Sequence, residues 1–157
     1  MVKHVKNVFI SHIHEDDKGL GKLKDILAEN GMDIRDSSIN SSNSNDAKSP
    51  EYIKSEILAP QIQWAGTMLV YVSEKTKDSD WVNWEIEYAA KMDKRIVGVW
   101  EEGAEDCELP WALKEYGDAM VGWHGNSIVD AIVDEKDEWE KPDGTPTPPV
   151  TLKRHPC

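Results

Sequence analysis

The stretch Thr67-Met68-Leu69-Val70-Tyr71-Val72-Ser73 decides the fold of this chain. It is almost entirely apolar and rich in β-branched and aromatic residues, with no polar alternation. A strand of that kind is buried on both faces, as in a parallel sheet covered by helices. The next two segments agree. Ser79 to Asp93 has helical spacing, with Val82, Ile86, Ala89 and Ala90 on one stripe at about 100° per residue. Trp81, Tyr88 and Met92 extend that stripe to one side, and Glu85 projects between Trp81 and Val82, inside the inward half of the helix. A solvated glutamate is expected near Asn83 or Lys91 instead. Arg95 to Trp100 (RIVGVW) is a further apolar strand.

The same alternation continues on both sides of this region. Val5 to Ser11 reads as a buried strand. Asp16 to Asn30 reads as a helix with Leu20, Leu23, Ile26 and Leu27 at helical spacing and Gly31 at the C′ position. Met32 to Asp36 is a short strand. Ser37 to Lys48 is rich in Ser, Asn and Asp and reads as a flexible loop. Ser49-Pro50-Glu51 starts a helix that is expected to end at Pro60. After the acidic loop Glu101 to Glu108 come a short helix within Leu109 to Tyr116, a strand over Ala119 to Trp123, and a helix over Ser127 to Trp139. Five alternations of strand and helix predict an α/β, flavodoxin-like three-layer sandwich with a five-stranded parallel sheet. The domain is expected to span residues 1–139, with residues 140–157 as a tail holding five of the eight prolines.

The 157 residues suit one domain with its own core. The net charge of −12, with no basic stripe, argues against nucleic acid and against anionic membranes as partners. Cys107 and Cys157 form neither a disulfide framework nor a metal pattern, and no apolar leader follows Met1, so a reducing, cytoplasmic setting is expected. There is no Gly-x-x-x-x-Gly-Lys loop, no Gly-x-Gly-x-x-Gly fingerprint and no Gly-x-Ser-x-Gly elbow. These absences disfavour a nucleotide triphosphatase, a dinucleotide-dependent dehydrogenase and an α/β-hydrolase. His12, His14 and Glu15 lack a distant second pair of ligands, so no metal is expected.

In a parallel sheet of this kind, ligands bind beyond the carboxyl ends of the strands. Those ends carry Ser11-His12, Asp36-Ser37, Ser73-Glu74 and Trp100-Glu101. Glu85 stands out from this set, because a carboxylate inside an apolar arc is paired, protonated or used. The plain alternative is a glutamate favoured by the helix dipole near an N-terminus.

The ordered set Phe9-Ile10-Ser11-His12, Glu15-Asp16-Asp17, Ser73, then Ser79-x-Trp81-Val82-x-x-Glu85-Ile86 resembles a TIR domain. It is similar in style to the short bacterial TIR-like proteins of anti-phage systems such as Thoeris (ThsB-like). The resemblance runs from Val5 to about Trp100. It implies a flavodoxin-like fold and cleavage of NAD+ at the nicotinamide–ribose bond, with NAD+ as substrate and no cofactor. The product would be a cyclic or linear ADP-ribose signal for a separate effector protein. On the same resemblance Glu85 is the catalytic carboxylate, and Trp81 is the aromatic one turn earlier. Ser11, His12, Asp36, Ser37 and Ser73 are candidates for substrate binding, and Ser37 to Lys48 is the family's flexible loop. From the composition of that loop, activity is expected to stay latent until the loop is ordered. The chain departs from receptor-type TIR domains in lacking a clear apolar box and in the Ser/Asn-rich composition of that loop. The rival reading is a non-catalytic scaffold acting through homotypic contacts, including as a homo-oligomer.

Overall fold

In the computed structural model, residues 6–13, 17–36, 58–103, 109–123, 125–133 and 139–141 are described. Strand β1 (Asn7–Ser11) leads through helix α1 (Asp17–Glu29) to β2 (Asp33–Asp36). Helix α2 (Ala59–Trp64) precedes β3 (Thr67–Val72), and a 3-10 turn (Thr76–Asp78) leads into α3 (Asp80–Lys91). The chain continues through β4 (Arg95–Trp100), α4 (Trp111–Tyr116), β5 (Ala119–Val121) and α5 (Gly125–Val133). The five strands form one sheet in the order β2-β1-β3-β4-β5, with every pairing parallel. That is the flavodoxin-like order. Strands consecutive in sequence lie side by side except β2 and β3, which flank β1 on opposite sides.

The strand pleat sends alternate residues to opposite faces. Phe9, Met68, Val70 and Val72 face one way and pack with Val82, Ile86 and Ala89 of α3, with Leu58 and Ile62, and with Ala112 and Leu113 of α4. Val8, Ile10, Leu69 and Tyr71 face the other way and pack with Leu20, Leu23 and Leu27 of α1 and with Ile128, Ala131 and Ile132 of α5. All six residues of β3 are buried, which is why that strand carries no polar alternation. Helix α1 ends as its sequence indicates: Gly31 has φ +80°, and Met32 N–H reaches back to the Leu27 carbonyl at 3.1 Å.

Four details differ from the sequence reading. Pro60 does not end a helix; the helical segment continues through it to Trp64. Residues 51–57, the rest of that expected helix, lie outside the described residues. Met92 does not extend the buried stripe but is 40% exposed, because α3 closes at Lys91 and Asp93 turns the chain with φ +57°. Asn83, expected on the solvated side, is buried because α4 packs over it. Trp139 is not helical: it forms a parallel bridge to Met120, and Glu140 N–H bonds the Met120 carbonyl at 2.7 Å. The indole N–H of Trp100 donates to the Glu140 carbonyl at 2.9 Å, and the Glu140 side chain accepts from Gly122 N–H at 2.8 Å. The chain is thus stitched to the β5 edge beyond the last helix.

Gly98 sits where β4 passes beneath α4. A Cβ there would stand 2.3 Å from Met120 Sδ and 3.0 Å from Leu113 Cδ2, both buried. Gly98→Ala is therefore expected to lower unfolding stability by about 1–3 kcal/mol through overpacking. Urea denaturation of the two proteins measures this, and an unchanged midpoint would mean that Met120 moves aside without strain.

Candidate active site

The order β2-β1-β3-β4-β5 reverses direction between β1 and β3, and the crevice at such a switch point opens beyond their carboxyl ends. Ser11 closes β1 there, in register with Val70 of β3. Ser11 lies two residues beyond Phe9, so it faces the same layer as α3. Its hydroxyl donates to Glu85 Oε1 at 2.6 Å, and both residues have no exposed surface. The two residues are separated by 74 positions in sequence.

Helix α3 is held so that Glu85 arrives at this point. Ser79 caps it, its Oγ accepting from Val82 N–H at 3.1 Å. The buried Asn83 side chain bonds twice: Nδ2 donates to the Ser79 carbonyl at 3.0 Å, and Oδ1 accepts from Ala112 N–H at 3.0 Å. The second bond satisfies a backbone donor in the first turn of α4 and locks that helix against α3. Ahead of the cap, Thr76 Oγ1 accepts from Ser73 N–H at 2.8 Å and lies 3.2 Å from Ser73 Oγ. That pair folds the end of β3 into the 3-10 turn and sets where α3 begins.

The remaining expected residues fall around this centre. His12 is buried beside Ser11, and its Nδ1 lies 3.0 Å from the Ile13 carbonyl. A carbonyl only accepts, so that bond places a proton on Nδ1. Trp81 is half-buried one turn before Glu85 and packs against the core of that layer. Ser73 is buried at the end of β3. Asp36 ends β2, paired in register with Ile10, and so stands at the carboxyl edge one strand over from Ser11. Ser37 and the loop to Lys48 lie outside the described residues. The structure therefore brings Ser11 and Glu85 into direct contact, with His12, Ser73 and Trp81 nearby. Sequence reasoning does not reach Thr76 and Asn83. Thr76 sits in a polar run (Glu74 to Asp78) with nothing to single it out, and the role of Asn83 depends on a partner 29 residues away. Among the described residues no cluster of three or more His, Cys, Asp and Glu side chains could hold a metal ion, and no helix is long and apolar enough to cross a membrane.

A five-stranded parallel flavodoxin-like sheet thus sets a carboxylate from the helix after β3 against the end of β1. The chain belongs to the family of the Thoeris protein ThsB TIR-like domain, whose family model matches residues 9–106. Among solved structures it is similar to a 2-deoxyribosyltransferase from Bacillus psychrosaccharolyticus, with a TM-score of 0.58 and 15% identity, covering 78% of this chain and 89% of that one. It also matches the Clostridium botulinum CMP N-glycosidase BcmB, with a TM-score of 0.46 and 20% identity over 60% of this chain and 71% of that one. The TIR domains of the activated Roq1 resistosome match with a TM-score of 0.45 and 22% identity over 60% of this chain and 57% of that one. At such identities the first likeness is one of fold, and the other two add nothing to it. No curated protein matches the chain.

Asn83→Ala would leave the buried Ala112 N–H without its acceptor, and an unsatisfied buried donor costs about 1–3 kcal/mol. The expected result is a loss of that size in unfolding free energy, with faster amide exchange in α4. Unchanged exchange there would show that Asn83 does not lock the two helices.

Proposed function

We propose that this protein cleaves NAD+ at the nicotinamide–ribose bond, with Glu85 as the catalytic carboxylate. The observation that carries the reading is the position of that side chain: a carboxylate at the switch point, buried to 0% exposure and set against the end of β1. Membership of the Thoeris TIR-like family supports the same substrate.

In the reaction the bond between ribose C1′ and the nicotinamide nitrogen breaks, and its electron pair leaves with nicotinamide. The ribose becomes oxocarbenium-like, and a carboxylate stabilises the developing positive charge, as in glycoside hydrolysis. The low dielectric of a buried position strengthens that attraction. Attack by water gives ADP-ribose and a proton. Attack by a hydroxyl or the adenine ring of the same molecule gives a cyclic product, assisted by proximity. Because the carboxylate is sealed from solvent in this state, the reaction requires an opening step that admits the ribose. His12, Asp36, Ser37, Ser73 and Trp81 are the candidates for contact with the substrate. The released nucleotide would act as a signal to a separate effector in bacterial anti-phage defence, in the cytoplasm.

The second reading, a scaffold acting through protein contacts, draws on Trp111 at 47% and Met92 at 40% exposure, two large apolar side chains left on the surface. Turnover separates the two. Glu85→Gln keeps the shape of the side chain and an oxygen to accept from Ser11, so it is expected to fold. Loss of a transition-state electrostatic partner is expected to reduce nicotinamide release by about 10²–10³-fold. Folded wild-type protein that releases no nicotinamide, even at high concentration with lysate from phage-infected cells, would favour the scaffold.

A further inference from the structure

The sequence places Ser11 among the candidate substrate contacts, but the structure gives its hydroxyl another partner. We propose that Ser11 is a positioning residue, whose hydroxyl aims the Glu85 carboxylate at the switch-point crevice and does not itself grip the substrate. The proposal rests on the reading of Glu85 as the NAD+-cleaving carboxylate.

Three observations carry it. A serine hydroxyl has one proton to give, and here it goes to Glu85 Oε1 at 2.6 Å, a distance typical of an O–H donor on a charged acceptor. Both partners are fully buried, so water does not compete for the bond and the local dielectric strengthens it. The donor is also rigidly mounted. β1 is an interior strand, flanked by β2 and β3, and Ser11 stands in the ladder opposite Val70. The acceptor is mounted on a helix fixed by the Ser79 cap and by the Asn83–Ala112 bond. Three side-chain torsions separate a glutamate carboxylate from its backbone. The bond to a fixed strand end selects one setting of them before substrate arrives, which is preorganisation of the group on which the chemistry depends. Ser11 would then act on the rate of the bond-breaking step and leave binding of the dinucleotide largely alone.

The test uses the full chain as wild type, Ser11→Ala and Ser11→Thr, the last retaining the hydroxyl. Nicotinamide release is measured across NAD+ concentrations. The ¹³C carboxyl signal of Glu85, identified by its loss in Glu85→Gln, is read at neutral pH in the same proteins. Ser11→Ala is expected to lower kcat by about 10- to 100-fold, the scale of a lost hydrogen bond to a charged group. KM should change by less than about threefold, as for an interaction used in the transition state more than in binding. Ser11→Thr should recover most of kcat, and the Glu85 signal should move in the alanine variant and return in the threonine variant. A raised KM with kcat retained would make Ser11 a substrate contact and overturn the proposal. So would an unmoved Glu85 signal in folded Ser11→Ala. If wild type releases no nicotinamide, the functional reading falls. The carboxyl signal then still decides whether Ser11 holds Glu85: movement in alanine and return in threonine supports the positioning, and no movement overturns it.

Discussion

The hydrogen bond from Ser11 to Glu85 joins the end of an interior strand to the middle of a helix, across 74 residues of sequence. The other features of the site converge on it. The parallel register of β1 with β3 sets where Ser11 ends, and the order of the sheet makes that end a switch point. The Thr76 turn, the Ser79 cap and the Asn83 bridge set the start, axis and neighbour of α3, and so deliver Glu85 to the same place. An error of one residue in β1 would turn Ser11 to the opposite face of the sheet, toward the layer of α1 and α5.

The bond from Ser11 is one of the contacts that hold the buried glutamate in place. Removing an ionised carboxylate from water costs several kcal/mol, and one hydrogen bond to a charged group contributes roughly 1.5–3 kcal/mol. On the proposed function, this fully buried glutamate at the carboxyl end of the strands serves the substrate as well as the fold.

Much of this architecture is legible in the sequence because the chemistry is local. Continuous apolar runs mark β3 and β4, and β4 has the limits its sequence indicates, Arg95–Trp100. The Ser79 cap and the apolar stripe of Val82, Ile86 and Ala89 mark α3, and the same periodicity puts Glu85 on its inward side. The features that stay hidden depend on distant partners. Asn83 looks solvated because nothing nearby in sequence announces that α4 covers it. Trp139 continues a helical pattern on paper but packs along β5, where the open sheet edge and the Glu140 bonds outweigh local propensity. Pro60 reads as a terminator because proline punctuates helices, yet the helical segment runs on past it to Trp64. Spacing alone locates Glu85 on its helix, but it does not reveal the contact with Ser11.

The central claim is that the Glu85 carboxylate meets the ribose of NAD+. The most direct measurement is a crystal structure of the full chain with a non-cleavable NAD+ analogue in which carbon replaces the ring oxygen of the nicotinamide ribose. The account predicts that the site opens and that the carboxylate lies about 3 Å from the hydroxyls of that ribose, with Ser11 still bonded to Oε1. A dinucleotide bound elsewhere, with Glu85 still sealed beneath the protein surface, would contradict it.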